Sequence, residues 1–256
     1  MGRGIVFFDI DGTLCRYAGK VDPGLKECFR RFHEKGNAAF LCTGRSPVDI
    51  QPDILELGFD GMIALMGAYI AVGGKVIQNK CIPQSLLKET VDVLLANQIQ
   101  AFLLGREIYA RTEYARDYDW NLPVFHGMED LYVNGHEPEI ASIDLDFGRI
   151  EDIEICLPVL EKHSEFIQYS DITGQTRLHG VNKSRGIMTV LGFPEYRGMT
   201  SYAIGDSQND IEMLRFVDVG IAMGDAPQEV SDCAKWQTSV VEADGVGRAL
   251  RHFGLA

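Results

Sequence analysis

Across 256 residues no apolar run approaches the roughly 20 residues that a membrane-crossing helix needs. No Cys-x-x-Cys occurs among the six cysteines, Cys15, Cys28, Cys42, Cys81, Cys156 and Cys233. Zinc sites of the ribbon or finger type are therefore not expected, and scattered thiols in apolar surroundings read as buried and reduced. There is no low-complexity tract and no repeat at a fixed period. Positive charge is scarce, with 24 Lys and Arg against 37 Asp and Glu and a net charge of −13. Such a chain is not expected to bind nucleic acid or an anionic membrane non-specifically, although a local site can still hold an anion. The opening residues reach Asp9 after a few apolar positions, too few for a secretory leader. A cytoplasmic protein, monomeric or homodimeric, is the expectation.

What is present is ordinary globular material, 46% apolar and 24% charged, enough for one large or two modest domains. Gly4–Phe8 is an unbroken apolar run, as in a strand buried on both faces of a parallel sheet. Asp22-Pro23 opens a helical pattern that ends near Gly36, with Asp22 as cap and Pro23 in the first turn. Ala38–Cys42 reads as the next strand, a helix is expected over 47–57, and Met62–Leu65 reads as a third strand. Strand, helix, strand, helix, strand argues for an α/β sheet with right-handed crossovers. Gly67–Gln78 reads as a hairpin and Ser85–Asn97 as a helix. Short β-rich runs then alternate with helical ones as far as His179. From Asn182 the α/β texture returns, with strands at Thr200–Ile204 and Val217–Ala222. The expected architecture is a Rossmann-like parallel core in three α/β/α layers, from 1–82 and 180–256, with an α+β insert at 83–179.

Three of the expected strands end in polar clusters. They are Asp9-Ile10-Asp11, Thr43-Gly44, and Gly205-Asp206 with Asp210 beyond. Lys183 opens the helix after the insert. In open parallel sheets ligands lie beyond the carboxyl ends of the strands, so these residues are expected on one edge. Asp-Gly alone reads as a turn. Four carboxylates with a lysine, a threonine and a glycine read as a site for Mg²⁺ and a phosphoryl group. In that reading Asp9 attacks phosphorus and Asp11 exchanges a proton with the leaving group and then with water. Thr43, Gly44 and Lys183 hold phosphate oxygens.

The stretches FFDIDGTL, LCTGR, GVNKSRGI and GDSQNDIEML resemble the four motifs of the haloacid dehalogenase-like (HAD) hydrolase superfamily. MGAYI and GIAMGDAPQEVSDCAKW are similar to its Cof-type sugar-phosphatase branch, which carries a large α/β cap between the second and third motifs. The resemblance covers roughly Gly4–Ile82 and Gly180–Leu250 and leaves the insert unread. It implies Asp9 as nucleophile and metal ligand, and Asp11 as acid/base with its carbonyl on the metal. It further implies Asp206 and Asp210 at the metal, and Thr43, Gly44, Lys183 and Asn209 at the phosphate. Mg²⁺ is the implied cofactor and a small phosphorylated metabolite the implied substrate, sugar phosphates first and nucleotide or cofactor phosphates next. A phosphomutase, or a phosphometabolite-binding regulator with little turnover, is the alternative.

Two positions depart from the branch. Met66 and Asp225 stand where asparagine is usual. Arg177-Leu178-His179 also stands where an acidic residue is more common, which suggests an acidic or multiply phosphorylated substrate. Arg45 reads as a sheet-edge brace. The six histidines show no ligand spacing. Tyr109, Tyr114, Tyr118 and Trp120 read as core packing of the insert, with a pocket-lining role as the alternative.

Overall fold

The computed structural model describes residues 3–16, 19–115 and 122–256. Tyr118 and Trp120, singled out above, lie outside the described residues. In chain order the elements begin with β1 (Gly4–Phe8), α1 (Pro23–Glu34), β2 (Ala38–Cys42), α2 (Pro52–Leu55) and β3 (Gly61–Ala64). The hairpin β4 (Tyr69–Val72) and β5 (Lys75–Asn79) follows, then α3 (Gln84–Ala96). Next come β6 (Gln100–Gly105), β7 (Tyr109–Thr112), β8 (Val124–Phe125), β9 (Ile140–Asp146), α4 (Glu151–Leu160), β10 (Ser164–Gln168) and β11 (Thr173–Leu178). The chain closes with α5 (Lys183–Leu191), β12 (Thr200–Gly205), α6 (Ile211–Phe216), β13 (Val219–Ala222), α7 (Gln228–Ser231), β14 (Trp236–Gln237) and α8 (Gly245–His252).

The chain divides into two compact units. The first comprises Met1–Gly44, Ile50–Gln78 and Asn182–Ala256, and the second Arg45–Asp49 and Asn79–Val181. The first unit holds an eight-stranded sheet in the order β14-β13-β12-β1-β2-β3-β4-β5. Its pairs from β14 to β3 are parallel, and β4 runs antiparallel to β3. β1 lies centrally and is buried throughout. Val6 and Phe8 pack with α1 and α8 side chains such as Phe29, Phe32 and Leu250, whereas Ile5 and Phe7 pack with Ile187 and Val190 of α5 and Met213 of α6. That two-sided burial is why β1 carries no polar alternation. Order reverses at β1, whose neighbours are β2 on one side and β12 on the other, so the site of choice lies at its carboxyl end.

Local chemistry sets the helix limits. Asp22 accepts from the Gly24 N–H at 2.7 Å, Pro23 occupies the first turn, and Gly36 follows at φ +75°. The helix expected over 47–57 is instead a 3₁₀ turn at Pro47–Asp49 followed by the single turn of α2. Pro52 has no N–H to continue a helix and holds Gln51 extended at ψ 146°, which divides the segment.

The second unit is a six-stranded sheet, β10-β11-β9-β6-β7-β8, antiparallel except for β7 with β8. α3 and α4 pack together beside it through buried residues that include Leu87, Val91, Leu94, Cys156 and Leu160. All six cysteines are free. Among the described residues no helix is long and apolar enough to cross a membrane.

Candidate active site

The site is built on two strand ends and one helix start. Asp9 follows β1 directly, and its N–H donates to Ile204 O of β12 at 3.0 Å, which ties the two strand ends together. Asp206 follows β12. Beyond it, Ser207 and Asp210 form a reciprocal cap, in which Asp210 Oδ2 accepts the N–H groups of Asp206 and Ser207 at 3.0 Å each. Asp210 is therefore both a cap and a site residue. Asn182 caps α5 by accepting the Arg185 N–H at 2.8 Å, and the next residue is Lys183.

These anchors bring buried charges together. The Lys183 ammonium donates to Asp9 Oδ1 at 2.7 Å and to Asp210 Oδ1 at 2.6 Å. Lys183 is 1% exposed, Asp9 5% and Asp210 0%. Charged groups are seldom found so deep unless paired. Burial works against the Lys183 charge, but Asp210 and Asp9 outweigh it and hold the ammonium well above its ordinary range. Burial, then the neighbouring charge of Asp210, raises the Asp9 carboxyl well above its usual value, while Lys183 pulls it down. Asp206 is pushed up to about 7 by burial and by Asp210.

Carboxylate oxygens of Asp9, Asp206 and Asp210 lie within 4.8 Å of one another and could hold a metal ion. The set is all hard oxygen, which suits Mg²⁺ or a similar cation. One ammonium among carboxylates whose proton affinity is raised leaves negative charge that a divalent cation would balance. The Asp11 carboxylate stands outside this three-residue group, on the loop where Gly12 N–H donates to Cys15 O at 2.8 Å. Thr43 follows β2 and is 1% exposed, with its N–H on Ile63 O at 2.8 Å. Gly44 is next to it. Asn209 lies in the turn before Asp210, where its Oδ1 accepts from Ser207 Oγ at 3.2 Å.

Gly12 must be glycine on two counts. Its φ is +77°, and an added Cβ would stand 2.3 Å from Asp206 Oδ2. Thr13, not singled out from sequence, donates to Asp206 Oδ1 at 3.4 Å. Its signal was its place in the DGT triplet.

Other expectations resolve differently. Arg177 donates to Glu165 at 2.6 Å, and His179 Nε2 meets Glu161 O at 2.9 Å. Asp225 is more than a loop residue, since Arg16 donates to its Oδ2 at 2.6 Å and to Glu242 Oε2 at 2.8 Å. Arg45 donates to Asp49 O at 3.3 Å and lies in the second unit rather than on the core sheet.

A mostly parallel sheet with an aspartate after its central strand, and a lysine and further aspartates beside it, is an arrangement suited to phosphoryl transfer. The family model for haloacid dehalogenase-like hydrolases matches residues 6–250. A 5-amino-6-(5-phospho-D-ribitylamino)uracil phosphatase of Bacillus subtilis is 37% identical, over 98% of this chain and 96% of that protein. A second phosphatase of the same name from that bacterium is 35% identical, over 97% of each. Among solved structures, a HAD subclass IIB sugar phosphatase superimposes with a TM-score of 0.80 at 26% identity, over 99% of this chain and 100% of that one. The chain belongs to the haloacid dehalogenase-like hydrolases, as a phosphatase of the Cof-type branch.

Proposed function

We propose that this phosphatase is Mg²⁺-dependent and hydrolyses phosphomonoesters of small polyhydroxylated metabolites through an aspartyl phosphate on Asp9. The observation that carries the reading is the buried contact of Lys183 with both Asp9 and Asp210 at the carboxyl end of β1. An Asp9 carboxylate oxygen forms a bond to phosphorus as the ester oxygen departs, and that oxygen takes its proton from Asp11. Asp11 then accepts a proton from water, whose oxygen attacks phosphorus. Inorganic phosphate leaves and the Asp9 carboxylate is restored. Lys183, Thr43, Gly44 and Asn209 hold the phosphate oxygens, with Lys183 as the compact positive charge. Asp9, Asp206 and Asp210, with the Asp11 carbonyl, would hold the cation. When bound, the ion supplies charge neutralisation that lets one anion approach another.

Sugar phosphates are the first substrate class, supported by the likeness to a subclass IIB sugar phosphatase. The two Bacillus subtilis phosphatases favour a second class, cofactor-precursor phosphates, because both are named for a ribitylamino phosphate. Both classes present a phosphate ester on a polyol chain. We assign specificity to the insert, 83–179.

The test is phosphate release from a panel of sugar, polyol, nucleotide and cofactor phosphates, with and without Mg²⁺. Release should depend on the metal and disappear in Asp9→Asn. An Asp9→Asn protein with full turnover would refute the mechanism. Isomerised sugar phosphate in place of free phosphate would indicate a mutase.

A further inference from the structure

The chain turns left-handed three times in succession directly after β3. Leu65 has φ 52°, Met66 φ 56° and Gly67 φ 97°. Glycine enters this region freely. Leucine and methionine do so at a cost in strain, which persists only where the surroundings impose it. Leu65 and Met66 are each 1% exposed, so the strain is held in the interior.

Three contacts impose it. The Met66 N–H donates to Thr43 O at 3.2 Å. Gly67 O accepts from the Gln78 side-chain amide at 2.9 Å. Gly67 itself lies so close to Asn182 that an added Cβ would stand 2.3 Å from Asn182 O. Asn182 caps the helix that begins with Lys183. The strained segment thus touches Thr43 at one end and the start of the Lys183 helix at the other.

The geometry points to Leu65–Met66–Gly67 as a backbone brace that sets the spacing between Thr43 and Lys183, with Met66 and Gly67 as positioning residues. The functional side of this inference rests on the phosphoryl-transfer reading of those two residues. A relaxed backbone at 65–67 would withdraw the Met66 N–H from Thr43 or move Gly67 away from Asn182. Either change displaces one phosphate-holding group relative to the other. The backbone of Met66 is the device, and its thioether is incidental. Residues that tolerate the left-handed region should therefore serve at this position, and β-branched ones should not.

The experiment compares Met66→Gly, Met66→Asn and Met66→Val with Gly67→Ala. Hydrolysis of p-nitrophenyl phosphate is measured with saturating Mg²⁺. The expected kcat/KM of the Val variant is at least tenfold below those of the Asn and Gly variants, with most of the difference in kcat. Gly67→Ala should fall at least tenfold below the native chain, since small misplacements of positioning groups are costly. Calorimetric titration with inorganic phosphate, which needs no turnover, should rank the variants in the same order. If the Val variant does not fold, Met66→Ala takes its place. Equal kcat/KM across the position-66 variants, or a ranking that follows side-chain size or polarity, overturns the brace. A native chain that hydrolyses no phosphomonoester overturns the proposed function instead, and the phosphate titration then decides the brace alone.

Discussion

Lys183 Nζ lies 2.7 Å from Asp9 Oδ1, with both side chains withdrawn from solvent. The lysine therefore both neutralises Asp9 and fixes its rotamer, and removal of either partner should have opposite effects on stability. Lys183→Met leaves two buried carboxylates without their cation and is expected to cost about 3–5 kcal/mol. Asp9→Asn relieves crowding by Asp210, Asp206 and Asp11 and should raise the melting temperature of the metal-free protein. The same change should lower turnover by about 10⁴-fold or more, since it removes the proposed nucleophile. Chemical denaturation and phosphate release on the two variants check the pair.

Gly12→Ala should weaken the proposed metal site without unfolding the chain. The added methyl would stand 2.3 Å from Asp206 Oδ2, so that carboxylate must move. Changes that misdirect a metal ligand typically cost about 10–100-fold in metal affinity or activity. The expected outcome is a rise of that size in the Mg²⁺ concentration for half-maximal activity. Unaltered Mg²⁺ dependence would show that Asp206 does not bind the ion.

Stability should respond to pH and metal together. Asp206 titrates near 7 in the folded metal-free chain, against about 4 when unfolded, because burial and Asp210 disfavour its charge. Between those values the folded state binds more protons than the unfolded state. Stability therefore falls as pH rises from about 4 to 7. Mg²⁺ should cancel that fall by favouring the carboxylate. Thermal denaturation from pH 5 to 8, with EDTA or with Mg²⁺, reads this directly.

His163 should produce the opposite slope in the second unit. It is 5% exposed, and burial, reinforced by His179, lowers its pKa to about 4. Thr90 Oγ1 donates to Leu86 O at 2.8 Å, so it accepts from His163 Nε2–H at 3.1 Å. Nδ1 then accepts from Ser164 Oγ at 2.7 Å. The ring is held neutral, and the unfolded chain binds the extra proton below its ordinary value of 6.5. Stability should fall as pH drops from about 6.5 to 4, by about 3 kcal/mol at the low end. His163→Gln should flatten that acid limb. An unchanged limb would assign acid sensitivity elsewhere.

The core sheet was legible because its strands are short, apolar and closed by polar residues. Gly4–Phe8 and Ala38–Cys42 match their observed limits, and the strand-end rule led from them to Asp9, Thr43 and Asp206. What could not be read was set by partners distant in sequence. Nothing in the order of residues shows that Arg16 meets Asp225, or that Lys183 divides its bonds between Asp9 and Asp210. The break at Pro52 is marked in the sequence only by the proline itself. The left-handed Leu65 and Met66 were invisible, because no glycine or asparagine marks them. Met66 stands where the branch usually has asparagine, a residue that enters this backbone region at lower cost.

The central pairing of the core also governs the order of assembly. β1 is hydrogen-bonded to β12 along its whole length, Gly4 opposite Thr200 and Phe8 opposite Ile204. β1 must therefore wait for the entire second unit before one of its two neighbours exists. The second unit's main sheet, by contrast, is closed by strands that are contiguous in the chain from β6 to β11. Local pairings form sooner than distant ones, and domains tend to fold as units during synthesis. The insert is then expected to fold while β1 is still half-paired, an interval in which exposed apolar strand surface favours aggregation.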